Sequence, residues 1–166
     1  MKTKLEAIAN IMVILVALAV GALVLTRYAA SSRLPRSVAA GDHLATLPGL
    51  DWSLHRHTLV LALNTGCHFC EESVPFYQKL GLAQRPNRSD LDIVAVFPNG
   101  PELVGPFTAR DDLSLRTVPG IPLEKLGVHA TPTLILVDHE GRVEHVWIGV
   151  LTARQETDLL KLASGS

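Results

Sequence analysis

The feature that most constrains this chain is an unbroken apolar run near its start, from Ala7 to Leu25. It reads AIANIMVILVALAVGALVL, with 17 of its 19 residues apolar and none charged. At 1.5 Å per residue, a helix over it reaches roughly 28 Å, enough for the hydrocarbon core of a bilayer. Such a helix has no polar face to turn toward water. The run therefore predicts a transmembrane anchor over residues 7–25, behind a short tail of residues 1–6. The competing reading is a cleaved signal peptide, whose apolar region spans about 7–15 residues and ends at a small-x-small site. Ala29-Ala30-Ser31 offers such a site, but the run is longer and is followed by Arg27 and Tyr28.

Composition describes what remains. Over 166 residues the chain is 48% apolar, with a mean hydropathy of +0.27, high for a soluble domain. Outside the apolar run, 62 of 147 residues are apolar, an ordinary share for a soluble domain. Abundant Leu and Val and a net charge of −1 exclude a disordered chain and give no basic surface for nucleic acid. Residues 1–40 hold five basic and one acidic side chain, whereas residues 41–166 hold ten basic and fifteen acidic ones. The second part is thus acidic and has no electrostatic attraction to anionic lipid. Lys2 and Lys4 precede the span, and Arg27, Arg33 and Arg36 follow it, so loop charge leaves the orientation open. Residues 26–40, with Ser31, Ser32, Pro35 and two alanine pairs, read as a linker to a domain over residues 41–166.

Within that domain, two short β-rich apolar runs, His57–Leu63 and Leu91–Phe97, and a third, Thr133–Val137, read as strands buried on both faces. Cys70–Leu82 has helical spacing. Gln84–Asp90 is a polar loop, residues 101–113 a helix, Leu115–Val118 a short strand and Ile121–Leu126 a short helix. Asp138-His139-Glu140-Gly141 turns a hairpin into Arg142–Ile148. Thr152 caps a last helix ending near Ala163. The order β, α, β, α, β-hairpin, α predicts an α/β sandwich with a mixed sheet.

The chemistry lies in Cys67-His68-Phe69-Cys70, which holds the only two cysteines. The motif falls where a buried strand gives way to a helix. A helix N-terminus offers free N–H groups and the positive end of its dipole. A thiol there ionises more easily, and the thiolate is the nucleophile. A second cysteine one turn on can close a disulfide with the first, so the pair can shuttle between dithiol and disulfide. A protonated His68 would favour the thiolate further, while Glu71 and Glu72 would oppose it slightly. Other chemistries fit less well. A structural zinc site needs four ligands, and there is no second pair. Haem attachment needs CxxCH, and Glu71 follows Cys70.

With these residues in place, the chain resembles the thioredoxin superfamily, in particular its membrane-anchored members of the TlpA and ResA kind, over about residues 41–164. The resemblance rests on the CxxC after a buried strand, on Pro75 five residues past Cys70, and on Thr131-Pro132-Thr133 before the strand TLILV. It extends to the hairpin DHEGRVEHVWIG, Asp138 to Gly149. It implies a thioredoxin-like fold, a mixed central sheet flanked by helices, and a protein-disulfide reductase type of activity. Cys67 would attack a client disulfide and Cys70 would resolve the mixed disulfide. Pro132 would follow a cis bond, and the Thr131 backbone would pair with the client chain. The cysteine pair itself would carry the electrons, with no cofactor and no metal. The partners would be client protein thiols or disulfides, a further redox protein and, through residues 7–25, the bilayer. The catalytic domain would face the periplasmic side of the cytoplasmic membrane, where client disulfides persist.

The sequence also departs from the family. Leu61 stands six residues before Cys67, where thioredoxin has a buried aspartate, so no proton acceptor for Cys70 is evident. Gly66 replaces the frequent tryptophan. Copper delivery is the alternative from a different class: some proteins of this fold bind the metal with two cysteines and a distant histidine, and His129 lies three residues before Pro132. Their cysteines, however, are separated by three intervening residues, where this chain has two. A peroxiredoxin-like peroxidase is the other alternative, but Asn64 stands where its threonine would be. His43, His55, His57, His139 and His145 carry no expected role, and Trp52 and Trp147 read as packing.

Overall fold

A computed structural model describes residues 2–31, 36–84 and 90–164, with side chains placed for 10–27 in the first of these segments. The chain divides into two compact units, Met1–Arg36 and Ser37–Ser166. The first is a single helix, α1 (Lys2–Ser31). Its window Asn10–Arg27 has a mean hydropathy of 2.2, with none of it buried in the protein. By length and composition the helix can cross a membrane.

The second unit is built on a five-stranded sheet. Its strands are β1 (His57–Ala62), β2 (Leu91–Val96), β3 (Arg116–Val118), β4 (Thr133–Asp138) and β5 (Val143–Ile148). Their order is β3-β2-β1-β4-β5. The β1/β2 and β2/β3 pairs are parallel, while β1/β4 and β4/β5 are antiparallel, so the sheet is mixed. The helices are α2 (His68–Glu72), α3 (Val74–Ala83), α4 (Pro101–Arg110) and α5 (Ala153–Ser164).

The uniformly apolar strands follow from burial on both faces. Successive strand residues point to opposite sides. Leu59, Leu61, Ile93, Ala95 and Leu134 enter one core with Phe76, Tyr77, Leu80, Phe107 and Leu159. Val60, Ala62, Val94, Val96, Ile135 and Val137 enter another with Val38, Leu44, Trp52, Ile121 and Leu126. Neither face has room for a polar alternation, so the strands read as continuous apolar runs.

The structure differs from the sequence reading in two places. The expected linker over residues 26–40 is partly structured. Residues 26–31 continue α1, since Thr26-Arg27-Tyr28-Ala29-Ala30-Ser31 contains no helix breaker. Val38 belongs to the second unit: it is buried, and its N–H donates to the Gly127 carbonyl at 2.9 Å. Residues 32–35, with Ser32 and Pro35, lie outside the described residues, as do 85–89 of the expected polar loop. The expected single helix from Cys70 to Leu82 starts earlier, at His68, and breaks at Ser73 between α2 and α3. The break follows from Pro75, which has no N–H to give to the carbonyl four residues back.

The β4–β5 turn is tied to the segment ahead of β1. Asp138 accepts from the N–H groups of Glu140 and Arg142, both at 2.9 Å. Leu44 N–H donates to the Gly141 carbonyl at 2.8 Å. Gly141 has φ +85°, and a Cβ there would lie 2.8 Å from the Leu44 carbonyl oxygen and 2.9 Å from Cδ1 of Trp52. Gly141→Ala is therefore expected to destabilise the domain by at least about 1–2 kcal/mol, the cost of the left-handed backbone alone. Thermal unfolding of the full chain in mild detergent, compared with wild type, measures it.

Candidate active site

The antiparallel pairing of β1 with β4 sets Ala62 opposite Thr133. The loop leaving β1 and the loop entering β4 therefore meet at one end of the sheet's central strands. The first carries Cys67 and the second carries Thr131 and Pro132. The Thr131–Pro132 peptide bond is cis, and Pro132 is buried. Gly149, just past β5, donates its N–H to the Pro132 carbonyl at 2.8 Å, and Thr133 Oγ1 donates to the Ala130 carbonyl at 2.8 Å. These bonds fix the loop that faces the cysteines.

Asn64-Thr65-Gly66 turns the chain out of β1. Asn64 Oδ1 accepts from Gly66 N–H at 3.0 Å, and Asn99 Oδ1 accepts from Thr65 N–H at 3.1 Å. Cys67 then caps α2 in extended geometry, with its sulfur accepting from Cys70 N–H at 3.3 Å. The Cys67 thiol is half-buried and donates to the Thr131 carbonyl at 3.2 Å. Cys70 is fully buried, and both thiols are free.

The two sulfurs thus occupy opposite environments. Burial opposes ionisation of Cys67, but the Cys70 thiol, the Thr131 side chain and the N–H groups of Cys70 and Phe69 outweigh it and pull the thiol below its ordinary value. The bond to the Thr131 carbonyl holds the proton on the neutral thiol, and the thiolate exchanges that acceptor for these donors. Burial pushes Cys70 up to about 12, reinforced by the Cys67 sulfur, against smaller relief from Asn64 N–H and Thr131. One cysteine is a reachable, ready nucleophile, and the other is shielded and protonated.

Cys67, Cys70, Thr131 and Pro132 come together. His68 is exposed and its ring tilts against Phe69, with centroids 5.7 Å apart; it is not among the groups that shift Cys67. Glu71 is paired with Arg110 at 3.1 Å, which offsets its charge beside the motif. Leu61 is buried in the same core as Cys70, so no carboxylate stands behind the pair at that position. His129 is exposed, and among the described residues no group of three or more His, Cys, Asp or Glu side chains is placed to hold a metal ion. A groove of about 470 Å³ lies between β5 and α5, lined by Leu136, Trp147, Leu159 and Leu162 among others, and the cysteines do not line it.

Sequence reasoning missed Ser73 and Tyr77. Tyr77 read as one more apolar helix position, yet it carries a buried hydroxyl beside Ser73, and burial pushes its ionisation well up. The signal was the spacing: Cys70, Ser73 and Tyr77 fall at i, i+3 and i+7, one face of a helix.

The asymmetry of the pair has a direct readout. In the reduced protein, Cys67 is expected to react with iodoacetamide at a pH below the ordinary thiol range near about 8.5. Its rate rises with pH only until its depressed ionisation is complete. Cys70 is expected to stay unmodified until the pH approaches about 12 or the chain is unfolded. Peptide mapping by mass spectrometry across a pH series checks both.

No model of a known protein family matches the chain, and no curated protein matches it. Solved structures do. StoA from Bacillus subtilis is 21% identical, with a TM-score of 0.56 over 74% of this chain and 98% of that one. A thiol-disulfide isomerase from Corynebacterium glutamicum is 18% identical, with a TM-score of 0.56 over 79% and 94%. A thiol:disulfide interchange protein from Bacteroides sp. is 19% identical, with a TM-score of 0.59 over 78% and 92%. The residues after the first helix therefore have the thioredoxin-like fold: a mixed sheet flanked by helices, with the cysteine pair at the start of the helix after β1.

Proposed function

We propose that this chain is a membrane-anchored thiol–disulfide oxidoreductase of the protein-disulfide reductase type. The observation that carries the reading is the Cys67 sulfur, half-exposed, hydrogen-bonded to Thr131 and backed by a buried Cys70 one turn on. The names of the structural neighbours, a thiol-disulfide isomerase and a thiol:disulfide interchange protein, support it.

In this reading the Cys67 thiolate attacks one sulfur of a client disulfide. A mixed disulfide forms and one client thiolate leaves. Cys70 then loses its proton and attacks the Cys67 sulfur. The Cys67–Cys70 disulfide closes, the second client thiolate leaves, and two electrons have passed to the client. No cofactor is required, because the pair holds the electrons. A separate redox protein returns the pair to the dithiol. Thr131 offers its backbone to the extended client chain, Pro132 shapes that end of the sheet, and His68 stands exposed beside Cys67 as a modulating residue. The domain lies on the extracytoplasmic side, with residues 7–25 in the bilayer and no part for nucleic acid.

Cys67→Ser is expected to abolish insulin disulfide reduction by the full chain in detergent. Cys70→Ser is expected to accumulate mixed disulfides that run as adducts on non-reducing gels and disappear with dithiothreitol. Catalysis that survives Cys67→Ser would sink the reading. An impermeant maleimide added to sealed right-side-out vesicles is expected to label Cys67, and labelling only after lysis would reverse the topology.

A further inference from the structure

Asn99 lies in the loop between β2 and α4, one residue ahead of the Gly100 that caps α4. An asparagine at a helix start ordinarily turns its side chain onto that helix's own N–H groups. Here α4 has no side-chain cap, and the Asn99 amide oxygen instead accepts from Thr65 N–H at 3.1 Å, 34 residues away in the chain. The perch of Asn99 is itself fixed. Gly120 N–H donates to the Asn99 carbonyl at 2.8 Å, and Ile121 N–H donates to the Phe97 carbonyl at 3.0 Å. The turn that Asn99 reaches has little packing of its own. Gly66 is exposed, and a Cβ there would meet only Asn64 Oδ1, at 3.9 Å. The bonds from Gly66 N–H to Asn64 Oδ1 and from Cys67 N–H to the Asn64 carbonyl lie within the turn and travel with it. Asn99 holds the turn from outside.

The bond from the Cys67 thiol to the Thr131 carbonyl is another outside hold, but it depends on the thiol proton. In a mixed disulfide Cys67 has no proton to give, so that bond is absent while Cys70 must reach the Cys67 sulfur. The bond from Thr65 N–H to Asn99 involves no sulfur and is the same in every redox state. The Arg110–Glu71 pair ties the far end of the segment, yet it is exposed to solvent and holds weakly. We propose that Asn99 is a positioning residue for the resolving step: it holds the Thr65–Gly66 turn, and with it the Cys67 sulfur, within reach of Cys70 once the mixed disulfide has formed. In that step a Cys70–Cys67 bond forms and the bond from Cys67 to the client sulfur breaks. The client thiolate leaves, and the Cys70 proton departs to solvent or to that thiolate. This inference rests on the resolving role proposed for Cys70.

Asn99→Ala tests it in the full chain in mild detergent. The probe is glutathione, joined to Cys67 as a preformed mixed disulfide, and the readout is its release by Cys70 at neutral pH. The variant is expected to release glutathione about fivefold more slowly, the effect of losing one ordinary hydrogen bond. Alkylation of Cys67 by iodoacetamide in the reduced protein is expected to keep its wild-type rate, because the reduced sulfur has its own bonds to Thr131 and to Cys70 N–H. Asn99→Asp keeps an acceptor oxygen at the same reach. It is expected to restore release in about 1 M salt, where a Debye length of about 3 Å screens the added charge. Unchanged release from Asn99→Ala would overturn the proposal, and so would failure of Asn99→Asp to restore it. Equal slowing of release and alkylation, or a loss of rate that tracks a loss of thermal stability, would overturn it as well, since the bond would then serve the fold. Wild-type protein that keeps its glutathione would overturn the resolving role and this inference together. Failure to reduce insulin with release intact would count against the oxidoreductase function alone.

Discussion

Everything at the cysteine site depends on the antiparallel register between β1 and β4. With Ala62 opposite Thr133, the chain that leaves β1 and the chain that enters β4 share one end of the sheet. A register slip of one residue would turn Leu59, Leu61 and Leu134 to the wrong face, so the two cores pin the pairing. The contact between Cys67 and the Thr131 carbonyl is a by-product of that packing. A loop-borne thiol is thereby placed with the precision of a buried sheet.

The second constraint is the depth difference between the sulfurs. They are three residues apart, yet Cys67 caps the helix at the surface and Cys70 lies one turn in, against β1 and α3. The same hydrogen bonds between them help Cys67 to ionise and hinder Cys70. The division of labour between attacking and resolving thiol thus needs no separate base for the first step. It needs help only for the second, where Leu61 gives none.

Much of this was legible in the residues. The three apolar runs became β1, β2 and β4 because burial on both faces leaves no other pattern. Asp138 and Gly141 marked the hairpin, and Thr152 marked the start of α5, where it and Gln155 each bond the other's backbone N–H. The cysteine pair and Pro132 stood out by spacing and context. What stayed hidden depended on three-dimensional company. TRYAAS permits the helix to run on to Ser31 but does not require it, and nothing in Ser37-Val38 said that Val38 would pack beside Gly127. Tyr77 was hidden because a tyrosine in an apolar helix stripe looks like any core aromatic. Only its hydroxyl separates it from phenylalanine.

The burial of Cys70 also bears on oxidative damage. An accessible thiolate is the form that peroxides convert to sulfenic acid, and further attack there is irreversible. A thiol beside it that small oxidants cannot reach stays reduced, and it can condense with the sulfenic acid to give the ordinary disulfide. Shielding one member of the pair therefore returns a first oxidative hit to the working cycle before a second can make it permanent.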